Sequence, residues 1–283
     1  MITKIKFFLL KNIHNIFFYT RINLFLFVSS FLKNPSNHQK LLRKIVTGIK
    51  NDGYCKIENF FDECTIDNIS TEINKNLSKY YLDDNGYPIS NDQFLKKNDP
   101  KNNKHQIKSG ELKLMIFEHF SKEMNFLSRN SFFQMINIIL KGNLRYATLQ
   151  YHVVNNSEKN FLLVSGKSTE RISGTWHSDN KVKHVIKGII YLDDVNIETG
   201  GYTEMIKNSK KRLMNKDFRT VTQFTDENRL LSDDDLKNMG FLYNPDDKIK
   251  LLGKKGDLIY LDSSNLHRGT QLNNSFRRLL WIY

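Results

Sequence analysis

Two histidines and one aspartate carry the strongest chemical signal in this sequence. His177 and Asp179 stand two residues apart, and His267 follows much later in the chain. On an extended strand, residues i and i+2 face the same side, so this imidazole and this carboxylate can reach one point. Two imidazoles and one carboxylate on one face of an octahedral ion leave three positions open, which suits non-haem Fe(II). A His-x-Asp pair also occurs by chance in a chain with eight histidines, so the pair alone is weak evidence.

Two adjacent arginines add to this signal. Arg277 and Arg278 follow His267 by ten and eleven residues, on a predicted C-terminal strand over 276–283. A guanidinium group binds a carboxylate through two parallel hydrogen bonds, so one of these arginines could hold a dicarboxylate. Because neighbours on a strand face opposite sides, only one of the two can point into a barrel. An arginine pair at a strand end is also often just a solvated edge.

The segments that must position these residues differ between the two halves of the chain. Apolar residues at helical spacing predict a helix over 36–50, a second helix capped by Asp62 and a helical stretch over 111–141, with a short strand over 54–57. The polar stretch 82–110 is predicted to be a long loop of the kind that forms lids or binding sites.

After residue 144 the pattern changes to short strands. The predicted strands cover 144–154, 184–192, 201–206, 256–261 and 276–283. Glycine, asparagine and aspartate separate them, which predicts an antiparallel barrel or jelly roll. The charged stretch 211–252 is predicted to be an irregular insertion between strands. The fold class is therefore α+β with a mainly β core.

The charge is concentrated in an N-terminal arm. The 283 residues include 43 basic and 30 acidic side chains, a formal charge of +13, yet residues 1–51 contain nine basic residues and no acid. The remainder is nearly balanced, and the arm has no recognisable DNA-binding motif, so we predict that the protein does not bind nucleic acid. The absence of a glycine-rich phosphate loop also argues against nucleotide-dependent activities.

The arm over residues 1–35 is rich in phenylalanine, and two interpretations remain open. It forms either a basic helix that lies on an anionic membrane through residues 1–33, or a helix that docks its apolar face onto the rest of the protein. Its longest apolar run, 24–28, is too short to span a bilayer. The two cysteines, Cys55 and Cys64, form no C-x-x-C pair and favour a reducing, cytoplasmic compartment, with membrane association as the alternative.

From about residue 50 to the C-terminus, the sequence resembles the phytanoyl-CoA dioxygenase family, and around WHSD its ectoine-hydroxylase-like members. The segments that carry the resemblance follow in the family's order: GYCKIENFF (53–61), WHSD (176–179), IIYLDD (189–194), GGYTEMIKNSK (200–210) and GDLIYLD (256–262), which leads into HRG (267–269). One departure is NSKK (208–211), which replaces the family's usual Gly-Ser-His.

The resemblance implies a double-stranded β-helix, a cupin-like jelly roll flanked by N-terminal helices, over 36–283. It implies that His177, Asp179 and His267 bind iron. The family's 2-oxoglutarate-binding arginine usually falls about eleven residues past the second histidine, which favours Arg278 with Arg277 as the alternative. Gln150 is a further candidate for co-substrate binding, weighed equally against an ordinary polar strand position. No catalytic residue beyond the metal ligands is expected.

The implied function is that of an Fe(II)- and 2-oxoglutarate-dependent dioxygenase. With O2, it would hydroxylate a C–H bond of a small-molecule substrate and release succinate and CO2. Related halogenases lack the carboxylate ligand, so the presence of Asp179 favours hydroxylation. The alternative is a catalytically silent barrel that acts as a membrane-tethered binding module.

Overall fold

A computed structural model describes residues 2–32, 34–77, 111–115, 130–142, 149–155, 162–164, 167–169, 176–180, 183–210, 233–238, 245–270, 272–273 and 276–283.

The residues that precede the first strand form two helices. Helix α1 covers Ile2–Ser30, and α2 covers Asn37–Asp52. The predicted loop over 82–110 and most of the predicted insertion over 211–252 lie outside the described residues.

Helix α2 confirms the prediction of a helix over 36–50. The Ser36 side chain accepts a hydrogen bond from the backbone N–H of Gln39, and the Gln39 side chain accepts one from the backbone N–H of Ser36. This reciprocal capping satisfies two donors that the first helical turn leaves free. At the other end Gly53 adopts a left-handed conformation, with φ of 79°, and donates to the carbonyl of Ile49.

Strand β1, Tyr54–Ile57, and helix α3, Glu63–Leu77, also follow the prediction. The Asp62 carboxylate accepts a hydrogen bond of 2.7 Å from the backbone N–H of Thr65 at the start of α3. This bond holds the pKa of Asp62 below its usual range. Asp62 is therefore the predicted cap.

The helix predicted over 111–141 is confirmed over 131–141 and wrong over 111–115, and residues 116–129 lie outside the described residues. Helix α4 covers Ser131–Ile136 and continues as a π-helix, Asn137–Lys141. In contrast, Glu111–Met115 forms strand β2. Its polar and apolar residues alternate with a period of two, and it pairs with the edge of the large sheet, so the helical prediction is wrong there.

Nine further strands complete the β core. They are β3 (Leu149–Asn155), β4 (Leu162–Val164), β5 (Lys167–Thr169), β6 (Ile186–Tyr191), β7 (Thr203–Ile206), β8 (Lys248–Leu251), β9 (Leu258–Asp262), β10 (His267–Gly269) and β11 (Phe276–Ile282). Helix α5 (Asp233–Asn238) and a 3-10 turn (Pro245–Asp247) precede β8. The five predicted strand segments are confirmed within the described residues.

The strands form a jelly roll of two main sheets. The large sheet has the order β1-β9-β6-β11-β3-β2, and the small sheet has the order β10-β7-β8. All strand pairs are antiparallel. Strand β8 lies within the segment predicted to be an irregular insertion, and its pairing with β7 corrects that prediction at 248–251.

The two faces of the large sheet bury different apolar clusters. Its outer face packs Ile190, Leu258 and Leu280 against the helices. Its inner face packs Ile189, Ile259 and Leu279 against the small sheet. Alternation along each strand therefore assigns every residue either to the helical layer or to the barrel interior.

Helix α1 docks onto the helical layer. Phe18 and Ile22 are buried in the outer cluster. Arg21 donates from Nε to the carbonyl of Ile139 at 3.3 Å and from Nη2 to the carbonyl of Leu140 at 3.4 Å, at the end of the π-helix. Helix α1 therefore docks onto the rest of the protein, which is one of the two interpretations that the sequence left open.

The opposite side of α1 and the turn after it present large apolar side chains to solvent, and we call this surface the outer face of α1. It consists of Leu10, Ile13, Ile16, Phe17, Leu24, Phe27, Val28, Phe31 and Leu32. None of the helices in the described ranges has the length and hydropathy needed to span a bilayer.

Candidate metal centre

A short backbone bridge brings the two histidines together. The N–H of His177 donates to the carbonyl of His267 at 3.0 Å, and the N–H of His267 donates to the carbonyl of His177 at 2.9 Å. Two residues later the N–H of Asp179 donates to the carbonyl of Ser263 at 3.0 Å. The segment around His177 is thereby held against the turn between β9 and β10.

The three side chains converge on one point. His177, Asp179 and His267 each offer a ligand atom, and these atoms lie within 4.8 Å of one another. Nε2 of His267 lies 3.8 Å from Oδ2 of Asp179. Among the residues that the structure describes, these three form the one cluster of His, Cys, Asp or Glu side chains that lie close enough together to hold a metal ion.

The environment of His267 keeps its imidazole neutral and fixes its orientation. Burial, with a smaller contribution from the neighbouring His177, lowers the pKa of His267 to about 4, so this imidazole is neutral at pH 7. Its Nδ1 lies 3.0 Å from the carbonyl oxygen of Asn265. A carbonyl can only accept, so the proton lies on Nδ1 and the lone pair of Nε2 faces Asp179.

Asp179 is held in its ionised form. Burial alone would raise its pKa, but His267, which is protonated only at the acid pH where Asp179 titrates, and the ammonium of Lys187 hold the pKa of Asp179 below its usual range. Nζ of Lys187 lies 2.6 Å from Oδ2 of Asp179. The donor set is thus two imidazole nitrogens and one carboxylate oxygen, which fits an Fe(II) ion with open positions.

Lys187 is a site residue that the sequence did not predict. It lies on β6 two residues before Ile189, which belongs to the inner cluster. Its Nζ lies 5.5 Å from the ring centroids of both Trp281 and Tyr283. The signal available in the sequence was one charged residue in the otherwise apolar strand IKGIIY.

A network of polar contacts fixes Trp176 and Arg268, the chain neighbours of His177 and His267. Trp176 is fully buried, and its Nε1 donates to Asp233 on α5 at 2.6 Å. The guanidinium of Arg268 lies 4.6 Å above the Trp176 ring and donates from Nε to Glu204 at 2.8 Å. Asp233 and Arg268 therefore hold the Trp176 side chain in place next to His177.

The two arginines point to opposite faces of the large sheet. Arg277 shares the inner face with Leu279, and it donates from Nη1 to the carbonyl of Gly201. Arg278 shares the outer face with Leu280, and its Nη2 lies 2.5 Å from Oδ1 of Asp193. The two arginines predicted to bind 2-oxoglutarate therefore lie on opposite faces of the sheet. Arg277 faces the barrel interior, whereas Arg278, which the spacing from His267 favoured, faces the helices.

The third predicted co-substrate residue, Gln150, lies on β3 opposite Trp281 in the register of β11. The side chains of β3 lie outside the described part of the structure, so its role stays a prediction.

Comparisons with known proteins agree with this fold. The family model described as phytanoyl-CoA dioxygenase (PhyH) matches residues 49–279. A comparison with curated proteins finds no match. The carbocyclase SnoK from nogalamycin biosynthesis superposes with a TM-score of 0.53 at 13% identity, covering 88% of this chain and 86% of its own. EctD from S. alaskensis, solved with bound Fe, has a TM-score of 0.51 at 17% identity, covering 88% and 75%.

The predicted cupin-like jelly roll with N-terminal helices is confirmed by these neighbours. The family match covers most of the chain and includes all three converging residues. The chain belongs to the phytanoyl-CoA dioxygenase family of Fe(II)- and 2-oxoglutarate-dependent dioxygenases.

Proposed function

We propose that this protein hydroxylates a C–H bond of a small-molecule substrate and releases succinate and CO2. The observation that carries the proposal is the convergence of His177, Asp179 and His267 within 4.8 Å, inside a fold whose family is Fe(II)- and 2-oxoglutarate-dependent. These three residues would hold the iron. Iron and 2-oxoglutarate, when bound, supply the oxidation by O2.

The protein contributes ligand geometry and orientation. The backbone bridge between His177 and His267 sets the spacing of the imidazoles, and the carbonyl of Asn265 keeps the Nε2 lone pair of His267 directed at the site. The inner apolar cluster, which includes Tyr191 and Leu279, excludes water from the barrel interior.

Arg277 would hold the far carboxylate of 2-oxoglutarate. Its place on the inner face supports this role, and a guanidinium group matches a carboxylate through two parallel hydrogen bonds. Arg278, which is paired with Asp193 on the outer face, would stabilise the sheet instead. Gln150 remains a candidate for polar contact with the co-substrate.

Hydroxylation is favoured over halogenation because Asp179 supplies the carboxylate that related halogenases lack. Its low pKa keeps it ionised at neutral pH, so it would occupy the coordination position that a halide needs. This argument concerns the reaction type and leaves the substrate to be found by experiment.

A succinate-release screen tests the proposal. Purified protein with Fe(II), ascorbate, 2-oxoglutarate and O2 is incubated with a panel of metabolites, and succinate and oxygenated products are measured by mass spectrometry. We expect succinate and a hydroxylated product with at least one compound class for the wild type and for Asp246→Ala, an exposed matched control, and none for Asp179→Ala. Wild-type protein that binds Fe(II) and 2-oxoglutarate but forms no more succinate than Asp179→Ala would support the silent binding module.

We also propose that the outer face of α1 contacts an anionic membrane surface. Isolated exposed apolar residues are common, but nine large ones on one helical segment form a binding surface. The first 51 residues contain nine basic side chains and no acid, which suits anionic lipid. The same charge disfavours a second copy of the chain as the partner, because two acid-free segments would repel.

Vesicle co-sedimentation tests the membrane contact. We expect the protein to sediment with phosphatidylglycerol-containing vesicles and not with pure phosphatidylcholine. The double substitution Phe17→Ser and Phe27→Ser should abolish this binding, whereas Ile197→Ser, which removes an exposed apolar side chain elsewhere, should not. Equal sedimentation of the double variant, or a dimer in analytical ultracentrifugation that the double substitution dissociates, would contradict the proposal.

A further inference from the structure

Helix α1, which lies outside the region matched by the family model, contacts the β core through an aromatic stack on His184. The Phe18 ring stacks on the His184 ring, with centroids 3.7 Å apart and planes at 9°. The Tyr19 ring meets the same imidazole edge-on, with centroids 5.6 Å apart. His184 precedes β6 and is covered by these two side chains from α1.

His184 in turn binds a buried carboxylate. Its Nδ1 is hydrogen bonded to Oδ2 of Asp262, the last residue of β9. The side chains are only 7% and 4% exposed. Burial alone would raise the pKa of Asp262, but the hydrogen bond and the charge from His184 hold it below its usual range. The pair is therefore a buried, charge-assisted contact that needs both partners.

The other oxygen of Asp262 organises the turn after β9. Its Oδ1 accepts hydrogen bonds from the N–H of Ser264 at 3.1 Å, from the hydroxyl of Ser264 at 2.5 Å and from the N–H of Val185 at 3.2 Å. The backbone carbonyl of Asp262 accepts a bond from the N–H of Asn265 at 3.0 Å. We call residues 262–265 the ligand-holding turn.

The three residues that follow Asp262 in this turn each form a hydrogen bond to one of the candidate ligands or to Ser178, which lies between two of them. The carbonyl of Ser263 accepts from the N–H of Asp179, and the carbonyl of Ser264 accepts from the hydroxyl of Ser178 at 2.8 Å. The carbonyl of Asn265 fixes Nδ1 of His267. The turn therefore sets the position of Asp179 and the orientation of His267.

We infer that Phe18 and His184 are positioning residues for the metal centre, acting through Asp262 and the ligand-holding turn. This inference rests on the metal site proposed above. The Phe18 ring keeps water from His184 and holds its imidazole against Asp262. Loss of the His184 ring removes one partner of the carboxylate, and loss of the Phe18 ring exposes the His184–Asp262 pair to water. In both cases the turn that Asp262 organises loses its register. The N-terminal helix thus couples to metal affinity although none of its described residues lies at the metal centre.

Metal titration of the full chain tests the coupling. Mn(II) binding is measured by isothermal titration calorimetry, and folding is followed by thermal unfolding. Phe18→Leu keeps a large apolar side chain at this position but removes the ring that stacks on His184. The control, Ile22→Val, shortens another buried side chain of the same helix that does not stack on His184. We expect both to lower the unfolding temperature slightly, while Phe18→Leu alone weakens Mn(II) binding by fivefold or more.

Substitution of His184 gives an independent arm of the test. We expect His184→Ala to weaken Mn(II) binding tenfold or more, and His184→Gln, whose amide can donate to Asp262, to restore part of that loss. Equal Mn(II) affinity in all folded variants, or equal losses in Phe18→Leu and Ile22→Val, would overturn the inference. Wild-type protein that binds no Mn(II) would instead refute the metal site itself.

Discussion

Nζ of Lys187 lies 2.6 Å from Oδ2 of Asp179, so a cation from the protein shares the carboxylate proposed to bind iron. The ammonium and a divalent ion compete for the same negative charge, because two cations near one carboxylate repel each other. We therefore expect Lys187 to limit the affinity of the proposed site for metal and to orient Asp179 before a metal binds.

The substitution Lys187→Met should strengthen divalent metal binding. Removal of the ammonium leaves the charge of Asp179 to the metal alone, so we expect the dissociation constant for Mn(II) to fall several-fold in calorimetric titration. Lys183→Met, at an exposed lysine near the site, should leave the constant unchanged. Unchanged or weaker binding in Lys187→Met would contradict the competition.

The two arginines should separate in their effects on 2-oxoglutarate. We expect Arg277→Met to weaken binding of 2-oxoglutarate by tenfold or more, because the inner-face guanidinium would grip its far carboxylate. Arg278→Met should leave the affinity nearly unchanged and lower the unfolding temperature, since it breaks the ion pair with Asp193. Fluorescence or calorimetric titration of the Mn(II)-loaded protein measures both. A larger loss of affinity in Arg278→Met would reverse the assignment.

A buried lysine makes stability depend on pH. Burial lowers the pKa of Lys141, at the end of the π-helix, from its ordinary 10.5 to about 8, and its Nζ has no hydrogen-bond partner among the described residues. Between pH 8 and 10.5 the unfolded chain binds more protons than the folded one, so the free energy of unfolding rises with pH by roughly 2–3 kcal/mol.

The variant Lys141→Met isolates this effect in urea unfolding. We expect the variant to be more stable than the wild type at pH 7, and the difference between them to shrink as the pH passes through 8 toward 10. Lys44→Met, at an exposed lysine, should give a pH-independent difference. A constant difference for Lys141→Met across this range would contradict the assignment.

Gly256 should tolerate no side chain. Its φ is +89°, and a Cβ there would lie 2.3 Å from the backbone carbonyl oxygen of Phe61. We expect Gly256→Ala to lower the free energy of unfolding by about 2–4 kcal/mol, because both the backbone conformation and the contact become strained. Lys254→Ala, an exposed change in the same turn, should cost less than about 1 kcal/mol. Similar stabilities for the two variants would contradict this.

The helix ends could be predicted from the sequence, because single capping residues determine them. The capping residues Ser36 and Asp62 mark the starts of α2 and α3, and Gly53 marks the end of α2. The strands of the large sheet that are buried on both faces read as apolar runs. In contrast, β2 and β8 are short and carry charged residues, so their brief alternation of polar and apolar residues does not separate them from the polar segments around them. They form strands by pairing with a neighbour.

The convergence of the three candidate ligands could be predicted from the sequence, but most of their surroundings could not. His177, Asp179 and His267 have a recognisable spacing and type, and they do converge. Lys187 and the His184–Asp262 pair come from segments that approach the ligands only in the folded chain. Which of the two arginines faces the barrel interior depends on the register of β11, and the sequence alone does not define that register.

The most direct test of the account is an anaerobic titration with Fe(II) and then 2-oxoglutarate. We predict that the wild-type protein binds one Fe(II), that 2-oxoglutarate then gives a visible charge-transfer band that saturates at one equivalent, and that His177→Ala loses both. His14→Ala, at an exposed histidine of α1, should behave as the wild type. Absence of Fe(II) binding, or an unchanged band in His177→Ala, would contradict the central claim that His177, Asp179 and His267 form the iron site.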